Sequence, residues 1–464
     1  MNLKIDTSIF KAYDIRGIAG ENLSEDIMEN IGRALGTFIR RHGGKIMVTG
    51  RDIRHSSLSY QQAVNRGLLS TGCDVWDMGI ITTPTMYYAC HKYAVDAGAV
   101  VTASHNPAEY NGLKMSFQKK SLPEEQIYMV RDLTLAKDFE KGEGEYREFF
   151  QVQNDHIDDV VAKINLAKPL KVVVDASGAV ANFMAPKVLG KLGCEYEVIN
   201  NNIDPDFTAH EPDPVILANY SQLLAKIEEN QADLGVMFDG DADRIGFVDD
   251  LGHIWLGDKI QMLLARDILP SHPGSKVIVE LKNSEAVVTE VEKLGGEPIF
   301  WKTGHTLIEE KLHEAGAILA AEMSCHYYIA DRWYKFDDAT YAMARVMEII
   351  AKSGRKFSEL MADLPNYPAT PEYRLTVPEE KKLAIVAEMV QFGKEKCDHY
   401  LDLDGIRGYL EDGWFLVRSS NTQPMVIVRV EAKTEAGLEK IKKIVKDKLD
   451  TIEGVNLDWS RQSD

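Results

Sequence analysis

The spacing of apolar residues alternates between helical and strand periodicity through the first two-thirds of the chain. Ser24 is a predicted N-cap for a helix that ends at Gly43-Gly44, and residues 58–69 have a second helical pattern. Three successive rounds of this alternation predict three α/β domains with mixed, mainly parallel sheets. The predicted strands cover residues 45–50, 74–81, 97–101, 170–175, 194–199, 234–238, 276–280, 298–301 and 317–321.

The C-terminal segment has a different pattern. Residues 425–431 alternate too little for a strand with one exposed face, and an amphipathic helix with a lysine-rich face follows over 438–449. We predict a smaller α+β domain here. Turn-forming residues place the domain boundaries so that the four domains cover 1–150, 151–252, 253–365 and 366–464.

Composition limits the partners that this protein can have. A net charge of −19 disfavours binding to nucleic acids or anionic membranes, so a site for an anionic substrate must be a local basic pocket. No apolar run has the length of a transmembrane helix, and residues 1–6 lack the apolar region of a signal peptide. The five cysteines lack CxxC spacing, which indicates reduced thiols, a cytoplasmic setting and no cysteine-based zinc site.

A serine, a histidine and an asparagine follow the predicted strand 97–101. The segment reads Thr-Ala-Ser-His-Asn-Pro over residues 102–107, and Pro107 ends any continuing strand. Ser104 therefore lies on a loop where a hydroxyl can be a covalent phosphate carrier. By itself the hexapeptide also fits an ordinary strand-ending turn.

Three carboxylates alternate along the loop after the predicted strand 234–238, where residues 239–244 read Asp-Gly-Asp-Ala-Asp-Arg. Their mutual repulsion favours a bound cation, although a solvated acidic turn is the alternative. An EF-hand is excluded because Arg244 stands where its glycine is required and Asp250 stands where its glutamate is required. A Mg²⁺ site that a phosphate oxygen completes fits better, and Arg244 can hold transferring oxygens.

Two further polar loops complete the candidate chemistry. Residues 418–424 read Arg-Ser-Ser-Asn-Thr-Gln-Pro, which is typical of a phosphate-binding loop, with a polar hairpin turn as the alternative. Residues 322–326 read Glu-Met-Ser-Cys-His, a mixture of acceptors and donors that suits sugar hydroxyls. His305 ends the neighbouring strand and is a candidate general acid or base, unless it is structural.

These motifs occur in the order found in one family. Two further segments match the same family: Phe-Lys-Ala-Tyr-Asp-Ile-Arg-Gly at 10–17 and Tyr-Asn-Gly-Leu-Lys at 110–114. The chain resembles the α-D-phosphohexomutase superfamily, of the phosphomannomutase/phosphoglucomutase type, over essentially its full length. The resemblance implies a heart-shaped protein of four domains, each of which contributes one loop to a deep central cleft.

The resemblance also implies roles for individual residues. Ser104 matches the serine that cycles through phosphoserine, Lys114 and His305 match candidate proton carriers, and Arg244 and Arg16 lie beside the reacting groups. The implied Mg²⁺ ligands are Ser104, Asp239, Asp241 and Asp243. The residues implied to bind the sugar or its distal phosphate are Tyr13, Lys282, Glu322, Ser324, His326, Arg418, Ser420, Asn421 and Thr422.

The chain departs from the family pattern in its sugar loop, which usually reads Gly-Glu-Met-Ser-Gly-His. Ala321 and Cys325 replace the two glycines. We expect a side chain at 325 to restrict the backbone angles or narrow the pocket.

The implied activity is reversible transfer of phosphate between O1 and O6 of mannose or glucose phosphate, with hexose 1,6-bisphosphate as intermediate and activator. Met323 favours this activity over that of phosphoglucosamine mutase, by family analogy. A metal-dependent sugar phosphatase would share the same loops and is an open alternative. A non-catalytic sensor would lack Ser104 or part of the acidic loop. The sequence does not indicate the preferred sugar, the oligomeric state or the pathway.

Overall fold

A computed structural model describes residues 5–420, 424–453, 455 and 457–459. Its strands form four sheets in chain order, which define units I to IV. The sheet of unit I has the order β1-β5-β4-β2-β3-β7, in which β4, β2, β3 and β7 are parallel neighbours and β5 runs antiparallel to β4. Its strands are β1 (Ile15–Ile18), β2 (Ile46–Arg51), β3 (Asp74–Ile80), β4 (Ala97–Val101), β5 (Tyr110–Phe117), β6 (Lys120–Ser121) and β7 (Tyr146–Glu148), and its helices are α1 (Glu25–Arg41), α2 (Ser57–Leu69), α3 (Thr83–Lys92) and α4 (Glu124–Ala136).

Unit II is a five-stranded mixed sheet of order β12-β11-β10-β8-β9. The parallel strands β9, β8 and β10 carry the helices, and β11 returns antiparallel to β10. Its elements are α5 (Val152–Ala162), β8 (Lys171–Asp175), α6 (Ala185–Lys191), β9 (Glu195–Ile199), α7 (Ser221–Asn230), β10 (Leu234–Phe238), β11 (Ile245–Asp249) and β12 (Ile254–Trp255).

Unit III is a four-stranded sheet of order β14-β13-β15-β16, in which only β16 is antiparallel among the described strands. Its elements are α8 (Gly257–Ile268), β13 (Lys276–Glu280), α9 (Glu285–Lys293), β14 (Glu297–Trp301), α10 (His305–Ala315), β15 (Leu319–Ala321), β16 (Tyr327–Ile329), α11 (Ala339–Ser353) and α12 (Phe357–Ala362).

Unit IV is an antiparallel sheet of order β17-β21-β20-β19-β18 with two helices, as the α+β prediction requires. Its elements are β17 (Tyr373–Thr376), α13 (Glu379–Lys396), β18 (His399–Leu401), β19 (Ile406–Leu410), β20 (Gly413–Ser419), β21 (Met425–Ala432) and α14 (Glu435–Leu449). The predicted fold class of three α/β domains and one α+β domain is confirmed.

The hydrophobic cores do not follow the division into four sheets. One hydrophobic core runs through units I, II and III and includes Val48, Val174 and Val279. Unit IV has its own core around Phe415 and Val428. Units I to III are therefore joined by buried apolar surface, whose removal from water is the main favourable term in folding.

The local signals of the sequence agree with the structure closely. Ser24 caps α1 by accepting a hydrogen bond from Ile27 N, and β4, β10 and β13 have their predicted bounds. The strand predicted over 317–321 begins only at Leu319, because Ala317 N donates to Leu312 O in the last turn of α10.

The turn 250–252, at which we predicted that domain II ends, connects β11 to β12 within one hairpin. The sheet of unit II therefore continues to Trp255. The four domain boundaries stay predictions. No helix in the described ranges is both long and apolar enough to cross a membrane.

Candidate active site

Ser104 lies on the loop that follows β4 and is almost completely buried. Its Oγ donates a hydrogen bond to Asp239 Oδ2 at 2.8 Å and lies 3.1 Å from His105 Nδ1. Its φ is +50°, a left-handed conformation that costs a non-glycine residue about 1–2 kcal/mol. The loop thus turns the hydroxyl away from unit I and toward the acidic loop of unit II.

The acidic loop follows β10 and holds three buried carboxylates. Asp239, Asp241 and Asp243 have oxygens within 4.8 Å of one another. Burial, together with the charges of Asp243 and Asp241, raises the pKa of Asp239 well above its ordinary value. Asp241 Oδ1 and Asp243 Oδ1 are buried and have no hydrogen-bond partner among the residues that the structure describes. Hard oxygen donors with unused lone pairs in this arrangement fit a metal ion.

Lys114 reaches the same cluster from β5 of unit I. Its Nζ donates to Asp241 Oδ2 at 2.8 Å and also to Asp243 Oδ2. Burial by itself would lower the pKa of Lys114, but these two carboxylates raise it well above its ordinary value. Lys114 is therefore a fixed positive charge inside the cluster.

Thr83, the first residue of α3, also contacts the acidic loop. Its Oγ1 donates to Asp241 Oδ2 at 2.6 Å, and its N donates to Asp241 O at 2.9 Å. These two bonds fix both the side chain and the backbone of Asp241, a common arrangement around metal ligands.

Arg244 and His326 connect the acidic loop of unit II to the loop after β15 of unit III. Arg244 Nε donates to His326 Nε2 at 2.9 Å, and His326 Nδ1 lies 2.7 Å from Asp337 Oδ2. Asp337 therefore orients the imidazole, and the imidazole orients the guanidinium. Ile245 N donates to Cys325 O at 3.1 Å beside this chain of contacts.

His305 begins α10 and lies between units I and III. Its ring stacks on that of His326 at 5.8 Å and meets the edge of Tyr13 at 5.7 Å. Tyr13 OH donates to Thr303 O at 3.1 Å, which ties the two units together. Burial and the charge of Lys114 lower the pKa of His305 well below its ordinary value. The ring is therefore neutral near pH 7 and can accept a proton.

Glu322 and Ser324 lie on the loop after β15. Glu322 Oε2 accepts a hydrogen bond from Gly304 N at 2.9 Å, while its buried Oε1 has no partner in the described part of the chain. Burial raises the pKa of Glu322 to about 6. Ser324 is half-buried. An acceptor with a free lone pair beside a hydroxyl is what a sugar diol requires.

Lys282 follows β13 and lies in a buried ion-pair network. Its Nζ lies 3.3 Å from Glu280 Oε1 and 3.2 Å from Glu372 Oε2, which stands just before β17 of unit IV. Although burial lowers the pKa of Lys282, these carboxylates raise it overall. Lys282 therefore links units III and IV.

Arg418 is the penultimate residue of β20 of unit IV and is buried. Its Nε donates to Asp404 Oδ2 at 2.8 Å, and its Nη2 has no hydrogen-bond partner among the described residues. A buried guanidinium with an unused donor suits an anionic ligand. Ser420 is also buried, whereas Asn421 and Thr422 lie outside the described residues.

Arg16 lies on β1 beside the serine loop. It donates to Asn106 Oδ1 and to Asp14 Oδ2, and its buried Nε has no partner in the part of the chain that the structure describes. Most of the site residues that the sequence suggested for units I, II and III thus lie in one region of contacts, from the serine loop through the acidic loop to His326 and His305. Lys282 and Glu372 extend that group to unit IV.

Comparisons with known proteins agree along the whole chain. Models of the phosphoglucomutase/phosphomannomutase family match it with alpha/beta/alpha domain I at residues 7–141, domain II at 154–252, domain III at 256–367 and the C-terminal domain at 372–448. The chain belongs to the phosphoglucomutase/phosphomannomutase family.

Individual relatives of this family have similar length. A phosphomannomutase/phosphoglucomutase of Pseudomonas aeruginosa is 37% identical over 456 residues, which cover 97% of both chains. A phosphoglucomutase of Neisseria gonorrhoeae is 36% identical over 446 residues, 94% of this chain and 95% of the relative. The crystal structure of a phosphoglucomutase/phosphomannomutase family protein from Burkholderia thailandensis matches with a TM-score of 0.93 and 38% identity, covering 98% of this chain and 100% of that one.

The departure from the family motif at residue 325 has a structural consequence. Cys325 adopts a φ of +71°, and its side chain is fully buried. Glycine adopts this conformation freely, whereas a side chain makes it strained. The backbone at Cys325 therefore keeps a conformation that glycine favours in spite of the side chain, and the thiol lies in the hydrophobic core.

Sequence reasoning missed three residues that contact the candidate site: Arg54, Thr83 and Asp337. Arg54 follows β2, the parallel neighbour of the strand that precedes Ser104, and Thr83 follows β3, the next parallel strand beyond β2. The carboxyl ends of parallel strands meet at one edge of a sheet, where ligands bind. That rule could have indicated both residues. No comparable signal marks Asp337.

Proposed function

We propose that this protein interconverts hexose 1-phosphate and hexose 6-phosphate, with mannose, glucose or both as the sugar, through a phosphoserine at residue 104. The observation that carries the proposal is the hydrogen bond of 2.8 Å from Ser104 Oγ to Asp239 Oδ2, inside a buried cluster of three carboxylates. A nucleophilic hydroxyl beside a metal site is the arrangement that phosphoryl transfer needs.

Binding comes first in the proposed mechanism. Arg418 holds the phosphate that does not react, and Glu322 with Ser324 holds hydroxyls of the sugar. These contacts place the free hydroxyl in line with the phosphoryl group on Ser104, so that binding energy at the distal end contributes to the rate.

Transfer then exchanges one P–O bond for another. The bond between phosphorus and Ser104 Oγ breaks as a bond forms to the oxygen of the sugar hydroxyl, and the released serine oxygen takes up a proton from water. The neutral imidazole of His305 accepts the hydroxyl proton, while Lys114 and Arg244 stabilise the phosphoryl oxygens. The product is hexose 1,6-bisphosphate, and after it turns over in the site its other phosphate returns to Ser104.

We propose Mg²⁺ as the metal, with Asp239, Asp241, Asp243 and an oxygen of phosphorylated Ser104 as its ligands. When bound, this ion would neutralise charge on the transferring phosphoryl group. Hexose 1,6-bisphosphate would also act as an activator, because it can phosphorylate any enzyme that has lost its phosphate.

The test is to incubate the protein with Mg²⁺, a trace of glucose 1,6-bisphosphate and, separately, the 1-phosphates of mannose, glucose and glucosamine. Phosphorus NMR distinguishes the outcomes. Formation of 6-phosphates supports the proposal, and the relative rates give the preferred sugar. Release of inorganic phosphate would indicate a phosphatase instead. Unchanged sugar phosphates that nevertheless bind would indicate a sensor.

A further inference from the structure

We propose that Arg54 is a positioning residue that holds the loop of Ser104 in the conformation required for phosphoryl transfer. Arg54 lies between β2 and α2, and its side chain is fully buried. The inference rests on the proposed phosphoserine chemistry and adds a residue to which no role in it has been given.

The guanidinium uses all its donors on this loop and on one carboxylate. Nη2 donates to Ser104 O at 2.9 Å and to Asn106 O at 2.6 Å. Nη1 donates to Pro107 O at 2.5 Å and to Tyr110 O at 3.1 Å. Nε donates to Asp52 Oδ2 at 3.1 Å. Only arginine offers five N–H groups in a rigid plane, so no other side chain can make this set of bonds.

These bonds fix the direction of the serine side chain. Four carbonyl oxygens of the segment 104–110 turn inward to one guanidinium, which sets the orientation of the peptide groups between them. Ser104 keeps its strained φ of +50° within this set of bonds. Because its carbonyl is directed to Arg54, its Oγ is directed to the other side, where Asp239 accepts its hydrogen bond.

Arg54 is itself held on two sides. Asp52 Oδ1 accepts hydrogen bonds from Arg54 N at 3.0 Å and from Ser57 Oγ at 2.5 Å, so the carboxylate has a fixed orientation. The ring of Phe207, from unit II, lies 5.0 Å from Arg54 Cζ. A Cβ added to Gly240 would stand 2.4 Å from Ser104 O, so the acidic loop packs against the same peptide. The serine loop is thus confined between Arg54 and Gly240.

This arrangement predicts a specific kinetic effect. Among the described residues, Arg54 contacts none of the side chains proposed to bind the sugar or the distal phosphate. Loss of its contacts should therefore misplace the phosphoryl group without weakening substrate binding. The turnover number should fall while KM stays nearly constant.

The experiment compares Arg54→Lys with Arg345→Lys. Arg345 is an equally buried arginine of α11 that pairs with Asp331 and Asp267, and within the described ranges it contacts no residue of the site. We expect at least a tenfold fall in kcat for Arg54→Lys, with KM changed less than threefold and a shifted phosphorus NMR resonance of the phosphoserine. Arg345→Lys should lower Tm but keep the wild-type kcat and resonance. An equal fall in kcat in both variants would overturn the inference, as would a wild-type kcat in Arg54→Lys.

A second variant decides the question if Arg54→Lys does not fold. Asp52→Asn keeps an acceptor for Ser57 and for Arg54 N but places an amide group opposite Arg54 Nε. We again expect kcat to fall while KM stays nearly constant. A wild-type kcat in this variant would overturn the inference. Failure of the proposed function is distinguishable, because in that case the wild-type protein itself would form no hexose 6-phosphate.

Discussion

Ser104 Oγ donates a hydrogen bond of 2.8 Å to Asp239 Oδ2, although 135 positions of the sequence separate the two residues. The serine comes from the sheet of unit I and the aspartate from that of unit II. The reactive hydroxyl and the carboxylate cluster therefore meet only when these two units pack together.

Replacement of Ser104 by alanine should reduce mutase activity to background, because the phosphate carrier is removed. Folding should persist, since one loop hydroxyl contributes little to stability. Intact-mass measurement should find a phosphorylated fraction in the wild type and none in the variant. Ser116→Ala is the control, because Ser116 is a buried serine whose Oγ donates to the backbone oxygen of Lys120 at 3.0 Å rather than to the acidic loop. Equal turnover by Ser104→Ala and the wild type would refute the covalent mechanism.

Asp241→Asn should weaken Mg²⁺ binding by about tenfold or more, because one charged oxygen ligand is lost. Titration calorimetry with Mg²⁺ measures the affinity directly. Chelation should inhibit the wild type, and added Mg²⁺ should restore the rate. Asp233→Asn is the control, since that carboxylate of unit II accepts a hydrogen bond from Lys171 N outside the cluster. A rate that survives exhaustive chelation would show that the acidic loop is not a catalytic metal site.

Glu309 gives the protein a pH-dependent stability. Its Oε2 accepts a hydrogen bond from Ser121 Oγ at 2.6 Å, which joins α10 of unit III to β6 of unit I. Burial raises the pKa of Glu309 from its ordinary value of 4.5 to about 8. The folded protein therefore keeps a proton that the unfolded chain releases between these two values, so the free energy of unfolding falls as pH rises across that window.

We accordingly expect Tm of the wild type to fall between about pH 5.5 and pH 8.5. The accompanying loss in the free energy of unfolding has several kcal/mol as its upper bound, since one pKa unit corresponds to about 1.36 kcal/mol. Glu309→Gln remains neutral and keeps an acceptor for Ser121. Its Tm should fall less over the same range, as measured by calorimetry at matched ionic strength. If Tm fell equally with pH in the two proteins, ionisation of Glu309 would not destabilise the folded state.

Arg418→Ala should raise KM for hexose 1-phosphate, because charge-assisted hydrogen bonds to phosphate contribute about 1.5–3 kcal/mol each. That corresponds to a change of about tenfold to a hundredfold. The turnover number should also fall, since the distal phosphate anchors the reacting hydroxyl. The phosphate content of Ser104 should stay near that of the wild type.

The control for Arg418 is Lys440→Ala, which removes an exposed cation from the same unit. It should leave KM unchanged, because its charge is solvated and paired with Asp412. If Arg418→Ala bound its substrate normally or lost its phosphoserine, the loop of unit IV would not be the distal phosphate site.

The sequence by itself determined the local elements and most of the candidate chemistry. Ser24 caps α1, and the apolar runs become β4, β10 and β13 with the predicted bounds. These signals are readable because capping and periodicity act between residues that are near in the chain. The motifs also indicated Ser104 and its three aspartates, since carboxylates alternating along one loop are costly without a cation.

Only the tertiary structure decided which groups meet and which protonation state each of them has. Arg54 reaches the serine loop because β2 and β4 are neighbours in the sheet, and His326 is oriented by Asp337 from a later loop. The raised pKa of Lys114 and the lowered pKa of His305 depend on burial and on charges from other units. Burial and the interaction with nearby charges depend on distances of a few ångströms in space and are independent of separation along the chain. A local sequence pattern therefore does not predict them.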